Sequence, residues 1–262
     1  MKLLTGRDIA DFIAERHARV IAGLPTPPRL AIIRSKDNEA GDKYLKMKRK
    51  YGEDIGIAVD LYVETSATII DRIAALGADP AVTGLIIQLP LTGAAAITDR
   101  ALAAIDPAKD VDGLAPGTAF EAATPKAALW LLASHGVDLK GRIVVVGQGR
   151  LVGKPLADRL EASGHDVVRC DINTKDLRAE TLQADILFTG TGVEHLIKPD
   201  MVKTGAVLVD TGSPKSEFDP ALYERDDLTI TPNPGGVGPM TVVSLFDNLI
   251  IAAQKQAYAH RA

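Results

Sequence analysis

Short, nearly unbroken apolar runs alternate along this chain with stretches in which apolar residues recur every three or four positions. In the first half the runs are RLAIIR from Arg29, GIAVDLYV from Gly56 and VTGLIIQLP from Val82. In the second half they are RIVVVG from Arg142, DVVRC from Asp166, ADILFTG from Ala184 and AVLVDTG from Ala206. Runs of this length, rich in β-branched residues, predict strands, and the 3.6-residue period between them predicts helices. Strands that are apolar throughout must be covered on both faces, so the rhythm predicts an α/β fold built on parallel sheet. TPKAALWLLASHG from Thr124 reads as a helix opened by Thr124 and Pro125 and closed near Gly136, and the domain boundary is expected there. The final PMTVVSLFDNLIIAAQKQAYAHRA, from Pro239, predicts a helix whose apolar stripe returns to the first lobe. Residues 1–123 with 239–262 are thus expected to form one domain and 124–238 the other, with a cleft between two lobes.

Composition narrows the function more than the fold. A length of 262 residues suffices for two domains with separate cores. The 30 Lys and Arg against 34 Asp and Glu leave no broad basic footprint, so neither nucleic acid nor an anionic membrane is an expected partner. The lone Cys170 cannot close an intrachain disulfide, and Met1 is not followed by the basic-then-apolar pattern of a signal peptide. No apolar run approaches the roughly 20 residues that span a bilayer, since stretches such as GLIIQLPL are broken by Gln and Pro. A cytoplasmic chain acting on small molecules is expected. His17, His135, His165, His195 and His260 lack ligand spacing, so no metal is expected.

GRIVVVGQGRLVGKPLADRL, from Gly141, carries the most specific signal. Gly147, Gly149 and Gly153 follow a predicted strand and open a predicted helix. Missing β-carbons permit a tight turn and let backbone N–H groups approach a pyrophosphate favoured by the helix N-terminus. Asp171 ends the next predicted strand, 24 residues beyond the first glycine, where an acid can accept hydrogen bonds from a ribose. A glycine turn that merely packs a helix, with no ligand, is the competing reading.

The first half offers further candidates. Tyr44 and Lys48 lie four apart, which on a helix puts a phenol and an ammonium on one face; a solvated basic helix would look the same. Gln88 ends an apolar strand, where an amide buried without a partner would cost ~1–3 kcal/mol. PAKDVDG places Asp110 and Asp112 in a glycine-closed loop, and TPNPGGVGPMT supplies a glycine-rich loop before the last helix.

YLKMK, QLPL, KDVDG, LVGKP and PGGVGPMT, in this order, together resemble the bifunctional methylenetetrahydrofolate dehydrogenase/cyclohydrolase family. The resemblance implies a folate-binding α/β domain and a Rossmann-type nucleotide domain. It implies oxidation of 5,10-methylenetetrahydrofolate by a nicotinamide cofactor, then opening of the methenyl product by water to 10-formyltetrahydrofolate. It also implies a homodimer. By this likeness Lys48 handles protons in the hydrolytic step, Gln88 orients it, Tyr44 positions the aminobenzoyl group and Asp112 binds the pterin. Leu89, Pro234, Gly235 and Gly236 would line the folate site. Gly147, Gln148, Gly149, Arg150, Val152, Gly153, Asp171, Thr174, Gly190 and Gly236 would hold the nucleotide.

The chain departs from the family at three places. Gly41 stands where a serine is usual, Gln148-Gly149 where Arg-Ser is common, and DIN from Asp171 where a His-Ser-type segment is found. The last two are positions that hold the 2′-phosphate in NADP-using relatives, so NADP is the family default and these residues lean to NAD. Two other readings stay open: a two-lobed dehydrogenase of shikimate-like acids, and a non-catalytic dinucleotide sensor.

Overall fold

The computed structural model describes residues 1–35, 42–93 and 95–259. Its first elements are β1 (Lys2–Leu3), α1 (Arg7–Ala22), β2 (Arg29–Ser35), α2 (Asp42–Ile55), β3 (Ala58–Glu64), α3 (Ile69–Ala78), β4 (Gly84–Gln88) and α4 (Ala95–Ala103). There follow α5 (Ala123–Ser134), β5 (Ile143–Val146), α6 (Gly153–Ala162), β6 (Val167–Cys170) and α7 (Leu177–Thr181). The chain ends with β7 (Ile186–Thr189), β8 (Val207–Asp210), β9 (Thr229–Ile230) and α8 (Val237–Ala259). They divide into two units: Phe12–Ala123 with the chain from Val242 onward, and Met1–Asp11 with Thr124–Thr241.

In the first of these units β3, β2 and β4 form a parallel sheet in that order. Alternate residues feed two cores. Leu30, Ile32 and Ile86 pack with Leu45, Phe246 and Leu249, while Ala31, Ile33, Leu85 and Ile87 pack with Ile69, Ile73 and Leu102. Coverage on both faces is why these runs carry no polar alternation. Each fully buried aliphatic side chain contributes roughly 1.5–3 kcal/mol, so the sheet holds its register strongly.

The last helix corrects one sequence expectation. Val237–Tyr258 is long and apolar enough to cross a bilayer, although no such run was expected. It is a core helix instead, with 67% of its 18-residue apolar window buried. Ser244 Oγ donates to the Ala123 carbonyl at 2.6 Å, and Asn248 Nδ2 donates to the carbonyls of Val111 and Glu121 at 2.9 Å each. These bonds satisfy loop carbonyls that the apolar helix would otherwise strand. The helix begins two residues before Pro239, which sits in the first turn where its missing N–H costs nothing.

The other unit holds a six-stranded sheet in the order β1-β9-β8-β7-β5-β6, parallel throughout. The winding reverses at β5, with β6 on one side and β7 on the other. Such a switch point opens a crevice at the carboxyl ends of the strands, where ligands of open α/β sheets bind. Residues 1–11 belong to this unit, not to the domain expected to begin at Met1. The Lys2 and Leu4 N–H groups donate to the Leu228 and Ile230 carbonyls at 2.8 and 2.9 Å, and Gly6 N–H donates to the Gly235 carbonyl at 2.8 Å. Both β1 and β9 are two residues long, too short to show a period in the sequence.

Candidate active site

Helix α2 brings Lys48 to the end of β4. The helix is fixed by packing: the Tyr51 ring lies 4.9 Å from that of Phe246, and its hydroxyl meets His17 Nδ1 at 2.9 Å. On the other side of the imidazole, His17 Nε2 faces Asp247 Oδ1 at 3.4 Å. Tyr44, one turn before Lys48, is half-buried, whereas Lys46, Arg49 and Lys50 are exposed and form the solvated face of the helix. Lys48 itself is only 8% exposed, and its Nζ donates to Gln88 Oε1 at 2.9 Å. Gln88 Nε2 reaches back to the Leu89 carbonyl at 3.4 Å, which orients the amide oxygen toward the lysine. Leu89 packs against the core on the α3 side of the sheet.

Burial pushes the Lys48 ammonium below its ordinary range, and the charge of Asp112 opposes this. Burial likewise raises the Asp112 carboxyl, with Lys48 pulling it down and Asp110 pushing it up. A buried lysine tuned in this way carries a lone pair at lower pH than a surface lysine. With one N–H committed to Gln88, that lone pair is aimed and can take a proton from water.

The KDVDG loop divides its labour. Lys109 Nζ donates to the carbonyls of Gly77 and Asp79 at 2.7 Å each, and to Leu76 at 3.3 Å, closing the C-terminus of α3. Asp110 is 1% exposed, and its Oδ2 accepts from the Leu114 and Ala115 N–H groups at 2.8 and 2.7 Å. Gly113, at φ +74°, lets the loop turn tightly: a β-carbon there would lie 2.6 Å from the Ala122 nitrogen. Asp112 alone remains half-buried beside Lys48.

In the other unit the glycine turn follows β5 and opens α6. Gly147 N–H donates to the Cys170 carbonyl at 2.8 Å, and its φ is +93°. A β-carbon on Gly147 would lie 2.5 Å from the Gly190 carbonyl oxygen, so the loops after β5 and β7 touch at the switch point. A β-carbon on Gly153 would overlap the Gly147 carbonyl oxygen, and one on Gly190 would crowd Val152 at 3.3 Å. Gly149 differs, since a β-carbon there would meet nothing closer than 3.9 Å. Protein packing therefore requires Gly147 and Gly153, while the space before Gly149 is open.

These residues fit a dinucleotide. No side chain caps the N-terminus of α6, where Val152 stands at the cap position; Lys154 N–H donates to the Gly149 carbonyl at 3.1 Å and Pro155 has no N–H, so the first turn offers a phosphate chiefly the Gly153 N–H. Thr189 Oγ1, buried at the end of β7, has no hydrogen-bond partner among the described residues. Asp171 is exposed at the end of β6, in a turn where its Oδ1 accepts from Asn173 N–H and its own N–H donates to Thr174 Oγ1, both at 2.8 Å. Thr174 thus shapes the turn that presents the acid. Gln148 folds back, donating to the Val145 and Gly147 carbonyls at 3.1 Å each, and Arg150 is exposed.

Two family models match the chain: the catalytic domain of tetrahydrofolate dehydrogenase/cyclohydrolase over residues 4–112, and its NAD(P)-binding domain over 122–257. The chain belongs to this family. A bifunctional protein FolD from Polynucleobacter necessarius is 39% identical, over 94% of this chain and 93% of the relative. Among solved structures, the bifunctional FolD of Campylobacter jejuni superposes with a TM-score of 0.88 at 33% identity, over 97% of this chain and 99% of that one. The Trypanosoma brucei methylenetetrahydrofolate dehydrogenase-cyclohydrolase, complexed with NADP cofactor and inhibitor, gives 0.90 at 25%, over 99% and 98%. A shikimate 5-dehydrogenase from Thermus thermophilus gives 0.59 at 17% identity over 87% of this chain and 99% of that one, a likeness of fold alone.

Several features of this family member were not legible as function. His17, Tyr51 and Asp247 come from three separated segments, and only the structure joins them. Asp110, placed with Asp112 in a glycine-closed loop, serves that loop, as does Lys109. Of the PGGVGPMT residues, Pro234 is exposed, the Gly235 carbonyl is held by Gly6, and Gly236 N–H donates to the Pro232 carbonyl at 2.8 Å. Gly41 lies outside the described residues.

Proposed function

We propose that Lys48 is the proton-handling group of the hydrolytic half-reaction, with Gln88 as its positioning partner and Tyr44 and Asp112 as folate-binding groups. The chain is a methylenetetrahydrofolate dehydrogenase and methenyltetrahydrofolate cyclohydrolase of one-carbon metabolism. The observation that carries the assignment is the 2.9 Å bond between buried Lys48 and Gln88. Neutral Lys48 takes a proton from water as its oxygen bonds to the methenyl carbon. Cleavage of the carbon–N5 bond then leaves the formyl group on N10, and N5 takes up the second proton of that water. The cationic substrate itself favours the neutral amine, so the tuning of Lys48 strengthens when the site is filled. Asp112, beside Lys48, accepts from the donor edge of the pterin, and Tyr44 positions the aminobenzoyl ring. Leu89, in the same unit as Lys48, completes the folate contacts in this reading.

A bound nicotinamide supplies the hydride acceptor for the other half-reaction. The Gly147–Gly153 turn with Gln148, Arg150 and Val152 would hold the pyrophosphate, while Asp171, presented by Thr174, would hold the ribose and Gly190 and Gly236 border the nicotinamide end. Asp171 carries a negative charge to the place where a 2′-phosphate would sit, and a cation swung in from the exposed Arg150 or Lys175 would be needed to offset it. The like charge favours NAD. NAD is expected to exceed NADP in kcat/KM by at least about tenfold, a difference of ~1.4 kcal/mol, and the double substitution Asp171→Ser with Gln148→Arg to narrow that gap. A wild-type preference for NADP would refute the reading of Asp171. The protein is read as a cytoplasmic homodimer, to which its lone, buried Cys170 is suited; light scattering at micromolar concentration tests the dimer.

Asp112→Ala tests the folate site directly. It is expected to raise the Kd for methylenetetrahydrofolate at least about tenfold, the loss that follows when a charged hydrogen-bond acceptor is removed from its donors. The Kd for NAD should change less than about twofold, because the nucleotide residues lie in a different unit of the chain. Equal losses for both ligands in calorimetric titrations would remove Asp112 from the pterin site.

A further inference from the structure

A buried acidic network lies beyond the residues assigned so far, in the unit that carries the glycine turn. Asp210 ends β8 and is 3% exposed. Its carboxylate accepts from Gly212 N–H and Ser216 Oγ at 2.7 Å each, from Asn233 Nδ2 at 3.1 Å and from Glu217 N–H at 3.2 Å. Asn233 also donates to the Gly212 carbonyl at 2.8 Å, so the loop leading into Pro234 is tied to the end of β8. Glu217 is 1% exposed and faces the loop after β7: its Oε1 accepts from Thr191 and Gly192 N–H at 2.7 and 2.6 Å, and its Oε2 from Thr191 Oγ1 at 2.8 Å. No salt bridge joins either carboxylate to a cation among the described residues.

Two carboxylates buried without cations are costly unless hydrogen bonds repay them, and here the donors described come from loops at the carboxyl ends of β7, β8 and β9. Those are the loops that border the crevice of the sheet, next to the contact between Gly147 and Gly190. The backbone of the Glu217 segment is held independently of its carboxylate. His195 N–H donates to the Ser216 carbonyl at 3.1 Å, Ile197 N–H to the Glu217 carbonyl at 3.0 Å, and Asp219 N–H to the Ile197 carbonyl at 2.9 Å. The carboxylate is therefore not needed to keep its own segment in place. What it fixes is the Thr191–Gly192 turn, whose two N–H groups both donate to Glu217 Oε1.

The geometry points to Glu217 as a positioning residue for the dinucleotide: its carboxylate holds the loop after β7 in the shape that receives the nicotinamide end, while Asp210 and Asn233 hold the loop before α8. This rests on reading the unit as the nucleotide-binding domain. Burial also pushes the Glu217 carboxyl above its ordinary range, and the Thr191 and Gly192 donors pull it back, as expected of an acid kept for shape and not for charge. A glutamine should therefore replace it well, since its Oε1 accepts the same two N–H groups and its Nε2 donates to Thr191 Oγ1.

The test measures the Kd for NAD and for NADP by calorimetry on the full chain, together with both half-reactions. Glu217→Ala is expected to raise the Kd of the preferred dinucleotide at least about tenfold and to lower dehydrogenase kcat/KM in proportion, while methenyl hydrolysis stays within about threefold. Glu217→Gln should return both within about threefold of wild type. Thr191→Val, which removes the hydroxyl that donates to Glu217 Oε2 and accepts from Val193 N–H at 3.1 Å but keeps both N–H donors to Oε1, keeps the question answerable should Glu217→Ala fail to fold. It should raise the dinucleotide Kd about threefold with hydrolysis unmoved. An unchanged Kd in the folded variants, equal loss of both activities, or failure of glutamine to rescue would overturn the role of Glu217. Wild-type protein that binds neither dinucleotide would instead overturn the reading of the unit.

Discussion

Lys48→Met is expected to lower methenyl hydrolysis by more than about 100-fold, the range typical of a lost proton-transfer group, while dehydrogenase activity falls much less. Methionine fills nearly the same volume and leaves no buried charge, so the helix should stand and the loss should report chemistry. Lys48→Arg separates two explanations. Guanidinium keeps the positive charge and can donate to Gln88, but it does not deprotonate in a protein, so it should be as inactive in hydrolysis as methionine. If Arg retained activity, a fixed positive charge would be the requirement and the base role would fall. The pH profile adds a sign. Hydrolysis needs the neutral amine, so its rate rises with pH through the Lys48 titration, at lower pH than an ordinary lysine would give because burial disfavours the ammonium. Asp112 favours the ammonium, so Asp112→Asn should move this acid limb to still lower pH in kcat. A shift to higher pH would mean that Lys48 is not the group being titrated.

The central strands β2, β4, β5, β7 and β8 were legible because burial on both faces leaves a nearly unbroken apolar signature, and the half-buried β3 and β6 because their runs are mostly apolar and β-branched. That Gln88 needs a partner was legible for a related reason, since an amide at the end of an apolar strand is costly unpaired, whereas the choice of Lys48 as that partner came from the family resemblance. The division of labour within KDVDG was not. Lys109, Asp110 and Asp112 are alike on the page, and only the α3 carbonyls around Lys109 and the Leu114 and Ala115 N–H groups around Asp110 show which acid is left for the site. Glu217 was missed because SPKSEFD looks like an exposed polar turn, and its burial depends on the β7 loop lying over it. The grouping of residues 1–11 with the six-stranded sheet was not legible either, since a two-residue strand is recruited by an existing sheet edge and carries no period of its own. Asp171, by contrast, was placed correctly at the end of β6 by counting from the glycine turn, which works because a βαβ unit fixes that distance.

The glycine turn makes the other large prediction, in which two substitutions of the same kind fail in different ways. Gly153→Ala puts a methyl group onto the Gly147 carbonyl, with that carbonyl carbon at 2.7 Å from the new atom, and both partners are backbone. Neither can rotate away, so relief requires α6 to withdraw from β5, where Leu156, Ala157 and Leu160 are buried. Overpacking in a tight core costs ~1–3 kcal/mol even when side chains can adjust, so about 3 kcal/mol or more is expected here, seen as a lower melting temperature together with lost dinucleotide binding. Gly149→Ala meets open space, and Gly149 is not among the glycines with positive φ, so the fold should tolerate it with Tm within about 2 °C of wild type. If the open space before Gly149 is where the pyrophosphate comes against the backbone, the methyl group occupies it, and the Kd for NAD should rise at least about tenfold. The thermal melt and the calorimetric titration of these two variants decide between a turn that only packs a helix and one that cradles a ligand. A Gly149→Ala protein that is stable and still binds NAD with the wild-type Kd would leave the glycines with packing alone to explain them.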